Sequence, residues 1–203
     1  MFLKRKRTGA VKGHGCADGR KQCAWTDKDE ATSPTIATKA VFLTAVIDAY
    51  ECHDVAIVDV PGAFLQTDMP VDEVVHVRFT GIMVDLLLEI DSEMYTPFVE
   101  YEGKEKVLYV ELLKALYGTL HAAWLFWEKL SGKLQEWGFE PNPYDSCVVN
   151  KMINGKQCTV GWHVDDLKIS HMDPAVVDHV IDLMDEEFGK ETPLTKSCGK
   201  VHD

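Results

Sequence analysis

The chain has 203 residues, of which 21 are Lys or Arg and 33 are Asp or Glu, so its formal net charge is −12. This length fits one large domain or two small lobes, and an apolar share of 46% is too high for a wholly disordered chain. No apolar run approaches the roughly 18 residues of a membrane span, and no apolar segment follows the basic start. We therefore expect a soluble, intracellular protein with no secretory signal and no membrane partner.

The charge is distributed unevenly along the chain. Residues 1–28 contain eight basic and two acidic side chains, and the remaining residues contain 13 basic and 31 acidic ones. Because Lys and Arg neutralise backbone phosphates whatever the base sequence, this basic arm is a candidate phosphate-binding surface. A solvated tail or a localisation signal explains the composition equally well.

The six cysteines show neither a CxxC pair nor the spacing of a zinc knuckle. In a chain without an export signal, free thiols are the expectation, and a disulfide framework or a structural zinc has little support. The pairs His163-x-Asp165 and His171-x-Asp173 each place two possible ligands on one face of a strand, but no matching set of Cys or His accompanies them.

The first part of the chain passes from a glycine-rich pattern to a helical one and then to a strand. Residues 9–29 contain four glycines and predict extended chain or a hairpin. Ser33-Pro34 predicts an N-cap and first helical position, and apolar residues at helical spacing predict an amphipathic helix over residues 34–50. A short run of branched side chains at 55–58 predicts a buried strand, which Pro61 ends.

The second part mixes hairpins with helices, which indicates an α+β fold with an antiparallel sheet packed on helices rather than a doubly wound parallel sheet. Asn154-Gly155 predicts a tight hairpin turn, Asp165-Asp166 predicts a second one, and Gly138 predicts the end of the longest helix. The patterns predict strands at 73–79, 106–112, 147–153, 158–164 and 167–170, and helices at 83–91, 120–137 and 174–189.

Three carboxylates follow or join predicted strands: Asp59 after the run at 55–58, and Asp165 and Asp166 between the last two runs. Carboxylates beside apolar strands are costly unless something compensates their charge. Mg²⁺ does so, since it takes hard oxygen ligands, characteristically one or two carboxylates together with substrate phosphates. Alternatively, all three are ordinary turn residues, because Asp is common in turns.

The residues around these aspartates resemble a known family. His163-Val164-Asp165-Asp166 resembles the xVDD hairpin of reverse transcriptases, and Val58 to Gln66 resembles the preceding aspartate motif with the Ala-Phe-Leu step of copia-type retrotransposons. Tyr117-Gly118, the Phe126-Trp127 pair and the segment from Trp137 to Cys147 follow in that family's order, and the glycine-rich start resembles its basic finger block. The resemblance covers about residues 4–203, essentially the whole chain.

The resemblance implies a role for each matching residue. Asp59 and Asp165 would hold two Mg²⁺ ions, for which Mn²⁺ is a possible substitute, with Asp166 as a weaker ligand and the carbonyl of Val60 completing a coordination sphere. Phe64 matches the bulky residue that excludes a ribose 2′-hydroxyl, although a core aromatic is the simpler interpretation of its chemistry.

Two further positions carry implied nucleotide contacts. Lys12 would contact the triphosphate as a point charge, with a solvated surface lysine as the alternative. The chain departs from relatives at His14, where Arg is frequent, at His121-Ala122-Ala123-Trp124, where Gln-Ala-Pro-Arg is frequent, and at His163, where Tyr is usual. His121 is therefore the candidate nucleotide-binding residue at the position of that glutamine.

The resemblance implies the fingers and palm of an RNA-directed DNA polymerase, with residues 1–32 as a basic fingers segment and 33–203 as the palm with the remaining fingers elements. It implies a chain that stops before the thumb and RNase H region. The implied partners are an RNA or DNA template with its primer, deoxynucleoside triphosphates and the rest of a polyprotein with thumb, RNase H and integrase. The implied location is a cytoplasmic virus-like particle or the nucleus. The alternative is a catalytically inactive remnant that at most binds nucleic acid or a partner.

Overall fold

The computed structural model describes residues 2–5, 9, 11–24 and 32–198. The part of the predicted glycine-rich segment at residues 25–29 lies outside this range. The helices are α1 (Thr38–Glu51), α2 (Ile82–Ile90), α3 (Ser92–Tyr95), α4 (Ala122–Glu136) and α5 (Pro174–Phe188), with 3-10 turns at Gly19–Ala24, Ala63–Gln66 and Thr96–Phe98. The strands are β1 (Phe2–Arg5), β2 (Val11–His14), β3 (Asp54–Asp59), β4 (His76–Thr80), β5 (Val99–Glu102), β6 (Glu105–Glu111), β7 (Glu140–Asn142), β8 (Asp145–Ile153), β9 (Lys156–His163), β10 (Asp166–His171) and β11 (Thr195–Cys198).

Three antiparallel sheets carry these strands. The largest has six strands in the order β11-β3-β10-β9-β8-β7, a second has the order β4-β6-β5, and β1 pairs with β2. The mixture of antiparallel sheets and helices confirms the predicted α+β class. None of the helices in the described part of the chain is long and apolar enough to cross a bilayer.

The main core lies between one face of the six-stranded sheet and helices α4 and α5. Alternate residues of the central strands point into it, because successive side chains of a strand face opposite sides of a sheet. The strand members that are at most 3% exposed are Ala56, Val58, Cys147, Val149, Cys158, Val160, Trp162, Leu167 and Ile169, and they pack against Leu130, Leu134, Val180, Ile181 and Met184 of the helices.

Two hairpins build the centre of this sheet. Asn154 and Gly155 have φ of 52° and 74°, which confirms the predicted tight turn between β8 and β9. The turn between β9 and β10 is Val164-Asp165, so the prediction that Asp165-Asp166 forms it was wrong by one residue. The register explains the difference: Leu167 must face the core, so Asp166 already belongs to β10 and faces the other side of the sheet.

Helix α1 differs from its prediction. It begins at Thr38 and not at Pro34, because the Ser33 hydroxyl donates to the Ala123 carbonyl (3.1 Å) and the Ala37 N–H donates to the Asp145 carboxylate (2.8 Å). Most of its apolar side chains are exposed, among them Phe42 (69%), Leu43 (62%), Val46 (65%) and Tyr50 (88%). A helix is therefore present over most of the predicted range, but the prediction of a buried apolar face was wrong, because the one buried residue of α1 is Asp48.

Helix α4 ends as predicted. Gly138 follows the C-cap Trp137 and has φ 82°. The Gly138 N–H donates to the Gln135 carbonyl, and the Phe139 N–H donates to the Leu134 carbonyl. This is the Schellman arrangement, which needs a left-handed residue that glycine adopts without strain. The chain can therefore turn directly into β7.

Candidate active site

The three candidate aspartates are neighbours along the backbone at one end of β3 and β10. Asp59, the last residue of β3, is the direct cross-strand partner of Asp166, the first residue of β10. Both belong to the strand positions that face away from the α4–α5 core. Asp165 lies in the turn that precedes β10, and its carbonyl accepts the Val60 N–H at 3.1 Å. Two separate sequence motifs are thus joined by one ladder of backbone hydrogen bonds.

The turn between β9 and β10 is strained. Together with the end of β3 this turn forms the carboxylate tip, which contains Asp59, Asp165 and Asp166. Val164 has φ 59°, a left-handed conformation that is rare for a β-branched residue and costs about 1–3 kcal/mol. Its half-buried side chain packs against the main core, which holds it there. The packing of Val164 therefore fixes the direction in which Asp165 leaves the sheet.

The side chain of Tyr117 contacts this tip, and no sequence motif assigned it a role. Its hydroxyl donates to Oδ2 of Asp165 at 3.2 Å. Burial, the charge and hydrogen bond of Asp165, and the charge of Asp59 raise the pKa of Tyr117 well above its usual range. The phenol therefore stays protonated and available as a donor at neutral pH. The sequence signals that pointed to this residue were its place in the Tyr117-Gly118 block and its position between a strand and α4.

Phe64 packs against the ring of Tyr117. The 3-10 turn that carries it starts after Gly62, which adopts φ 64°. Phe64 is 7% exposed, and its ring centroid is 4.1 Å from that of Tyr117 and 6.3 Å from that of Phe126. Such packing suits a core aromatic, while its contact with Tyr117 brings it close to the carboxylates. Its role in excluding a 2′-hydroxyl stays a prediction.

Two further predicted site residues are Val60 and Lys12. Val60 is fully buried directly after Asp59, and its backbone bonds the Asp165 turn. Lys12 lies in β2 opposite Lys4, and its side chain is outside the part of the chain that the structure describes. The nucleotide and metal roles of these residues remain predictions.

His121 immediately precedes α4, four residues after Tyr117. Its Nδ1 lies 2.6 Å from Oε1 of Glu73, a residue that the sequence analysis did not single out. Its Nε2 is buried and has no hydrogen-bond partner within the described residues. The two residues are 48 positions apart, so no local pattern pointed to this pair.

A nearby lysine does not neutralise the carboxylates. Lys168 follows Asp166 on the same face of β10, but its Nζ pairs with the Asp48 carboxylate of α1 and donates to the Thr44 hydroxyl at 2.9 Å. Asp48 also contacts Nδ1 of the buried His53 at 3.0 Å. The charge of Lys168 is thus engaged by α1, beside the carboxylate tip.

The donor chemistry of the tip suits a hard divalent cation. Asp59 and Asp166 face each other across the strands, a like-charged arrangement that a cation would relieve. Within the residues that the structure describes, no three His, Cys, Asp or Glu side chains already converge into a metal-binding cluster. Two carboxylates with substrate phosphates are a sufficient donor set for Mg²⁺.

Comparison with known proteins identifies the class. The profile of the family described as reverse transcriptase (RNA-dependent DNA polymerase) matches residues 2–195. The chain therefore belongs to the reverse transcriptase family, a family of nucleotidyltransferases that generally use divalent metal ions. Neither the curated proteins nor the solved structures gave a significant match.

Proposed function

We propose that this chain is the fingers and palm of the RNA-directed DNA polymerase of a copia-type retrotransposon polyprotein. It would extend the 3′ end of a primer on an RNA or DNA template with deoxynucleoside triphosphates. The observation that carries the proposal is the junction of the two aspartate motifs at one sheet end, Asp59 opposite Asp166 with Asp165 in the adjoining turn, in a chain whose family is that of polymerases.

The elements divide in a way that agrees with this proposal. The six-stranded sheet with α4 and α5 would be the palm, within residues 33–203. The basic hairpin β1–β2 would belong to the fingers segment at residues 1–32. In that hairpin Lys4 and Lys12 are direct cross-strand partners along the backbone. The proposed phosphate contacts of this segment rest on its composition, since residues 1–28 contain eight basic and two acidic residues.

The candidate residues would divide the work of nucleotidyl transfer. Bound Mg²⁺, held by Asp59 and Asp165 with help from Asp166 and the Val60 carbonyl, would supply activation of the primer hydroxyl and stabilisation of the leaving pyrophosphate. Tyr117 holds the Asp165 side chain by a hydrogen bond. Phe64 would exclude a 2′-hydroxyl, Lys12 would bind the triphosphate, and His121 would line the nucleotide site.

Primer extension tests the proposal. The chain is incubated with an oligo(dT) primer on poly(rA), dTTP and either Mg²⁺ or Mn²⁺, beside Asp165→Asn and a matched control, Asp182→Asn on the exposed side of α5. We expect extension by the native chain and the control, and a loss of about 100-fold or more in Asp165→Asn, the scale on which loss of one preorganised electrostatic group acts.

Two outcomes would contradict the proposal. Extension that survives in Asp165→Asn would show that the activity does not use this site. No extension by folded native chain with either metal would leave the inactive remnant as the better interpretation, and a gel-shift assay with the same primer and template would then show whether nucleic acid binding persists.

A further inference from the structure

Tyr117 touches two candidate site residues that have different tasks. Its hydroxyl donates to the Asp165 carboxylate at 3.2 Å, and its ring packs on Phe64 with centroids 4.1 Å apart and planes inclined by 34°. Neither contact is local in sequence, because Asp165 follows Tyr117 by 48 positions and Phe64 belongs to the turn after β3. One side chain thus links the carboxylate tip to the candidate sugar-selecting ring.

We propose that Tyr117 is a positioning residue that serves both: its hydroxyl orients the Asp165 carboxylate toward the metal, and its ring holds Phe64 in the position that selects the sugar. This inference rests on the proposed polymerase function. It adds a residue for which the family match and the sequence motifs supplied no role.

The Tyr117 hydroxyl restrains the side chain of Asp165, whose main chain is already held by backbone contacts. The Asp165 carbonyl is held by the Val60 N–H at 3.1 Å, and the strained Val164 fixes the preceding peptide. These contacts determine where the Asp165 main chain lies and leave its side chain able to rotate. The Tyr117 hydroxyl is a partner that restricts this rotation, since a phenol donor and an ionised carboxylate acceptor are complementary.

Tyr117 is itself well anchored. Its carbonyl accepts the Ala17 N–H at 2.7 Å, and the next residue, Gly118, has φ 91°. Gly19 packs directly on this backbone, because an added Cβ at Gly19 would lie 2.2 Å from the Gly118 carbonyl oxygen. Because these contacts hold the backbone of Tyr117, its side chain can restrict the movement of the residues that it contacts.

The ring supports Phe64 from one side. A second ring near Phe64 is that of Phe126 in α4, at 6.3 Å between centroids. Replacing the Tyr117 ring by a flexible aliphatic chain would leave Phe64 free to shift toward the vacated space, since cores relax partially around a lost group. A displaced Phe64 would no longer bar a ribose from the site.

The experiment separates the two contacts with two substitutions. Tyr117→Phe removes the hydroxyl and keeps the ring, whereas Tyr117→Met removes the ring and keeps most of the buried volume. Tyr144→Phe is the matched control, because Tyr144 is 95% exposed. Electron paramagnetic resonance measures the binding of Mn²⁺. Primer extension is measured as a function of the Mg²⁺ concentration. Sugar selection is measured as the ratio of dTTP to UTP incorporation.

We expect Tyr117→Phe to weaken Mn²⁺ binding severalfold and to raise the Mg²⁺ concentration needed for half-maximal extension, with the sugar ratio unchanged. We expect Tyr117→Met to show both of these effects and to lower the sugar ratio about tenfold. In a double-mutant cycle with Phe64→Val, Tyr117→Met should lower the sugar ratio no further, because it acts through Phe64.

Native Mn²⁺ affinity and Mg²⁺ dependence in Tyr117→Phe would overturn the hydroxyl part of the inference. A native sugar ratio in Tyr117→Met, or additive effects in the cycle with Phe64→Val, would overturn the ring part. Thermal unfolding of each variant distinguishes these results from misfolding, and Tyr117→Phe keeps the packing that stabilises the site. Asp165→Asn tests the polymerase itself, and Mn²⁺ binding by the native chain and Tyr117→Phe reports on positioning even if no extension occurs.

Discussion

The opposed pair Asp59 and Asp166 predicts that the metal-free protein is destabilised by its own candidate site. Directly opposite residues of antiparallel strands have Cα atoms about 5 Å apart. The Cβ atoms of such a pair are also about 5 Å apart. If the carboxylates are taken to be separated by the same distance, they repel by about 0.8 kcal/mol in water and about 3 kcal/mol at an effective dielectric constant of 20. Because Asp166 is exposed, the lower end applies, and we expect Asp166→Asn to raise the free energy of unfolding by about 1 kcal/mol.

The assay is urea and thermal unfolding in the presence of EDTA, followed by a titration with Mg²⁺. For a chain of this size, 1 kcal/mol corresponds to a rise in Tm of about 2–4 °C. The rise should shrink in 1 M salt, where charges are screened over about 3 Å. Bound Mg²⁺ at ten times its Kd should stabilise the native chain by about 1.4 kcal/mol and Asp166→Asn by less, because one ligand is weaker.

Asp182→Asn is the control, since it removes one charge from the exposed side of α5 and leaves the carboxylate tip intact. An equal rise in Tm for Asp182→Asn would mean that lower net charge alone stabilises the chain. A fall in Tm for Asp166→Asn would refute the reasoning outright, because the pair would then be stabilised by contacts other than a cation.

Two other features lead to measurable expectations. Gly19→Ala should lower the free energy of unfolding by about 1–3 kcal/mol, because the added Cβ would lie 2.2 Å from a backbone oxygen. Gly132→Ala in α4 should raise it by about 0.5–1 kcal/mol, because the added Cβ would meet nothing within 4 Å. Thermal unfolding measures both changes. Burial raises the pKa of Cys147 and of Cys158 to about 11, so iodoacetamide at pH 8 should alkylate them far more slowly than the exposed Cys16, as measured by peptide mass mapping. In the unfolded chain these thiols ionise near pH 8.5, whereas in the folded chain they stay protonated up to about pH 11. The free energy of unfolding should therefore be unaffected by them below about pH 8.5 and should fall as the pH rises toward 11. A flat profile across this range would contradict the burial of the two thiols.

The parts of the fold that were predictable are those that local patterns determine. The short branched run became the centre of β3, Asn154-Gly155 became a turn with both φ values positive, and Gly138 ended α4. Each depends on side-chain alternation or on backbone conformations that few residues tolerate. The three candidate aspartates were selected in the same way, because they stand at the ends of apolar runs, and their role stays a prediction.

The parts that were not predictable depend on residues far apart in sequence. The start of α1 is set by Asp145, which binds the Ala37 N–H from 108 positions away, and no helix propensity contains that contact. The pairs Tyr117 with Asp165 and His121 with Glu73 each span 48 positions. A sequence pattern identifies which residues can bond, and the sheet order decides which of them meet.

The two hairpins of the central sheet differ in a way that supports the proposed site at the carboxylate tip. At Asn154-Gly155 the residues suit the conformation, and nothing is strained. At the other hairpin, Val164 takes a left-handed conformation that disfavours it, and the residue at the base of the turn, Asp166, faces a second carboxylate, Asp59. Turn propensity alone would select against both features, since a left-handed valine is strained and like charges on directly opposite residues repel each other. Their coincidence within three consecutive residues is what a catalytic requirement predicts and an ordinary turn does not, because local rules are broken mainly where function offsets the loss.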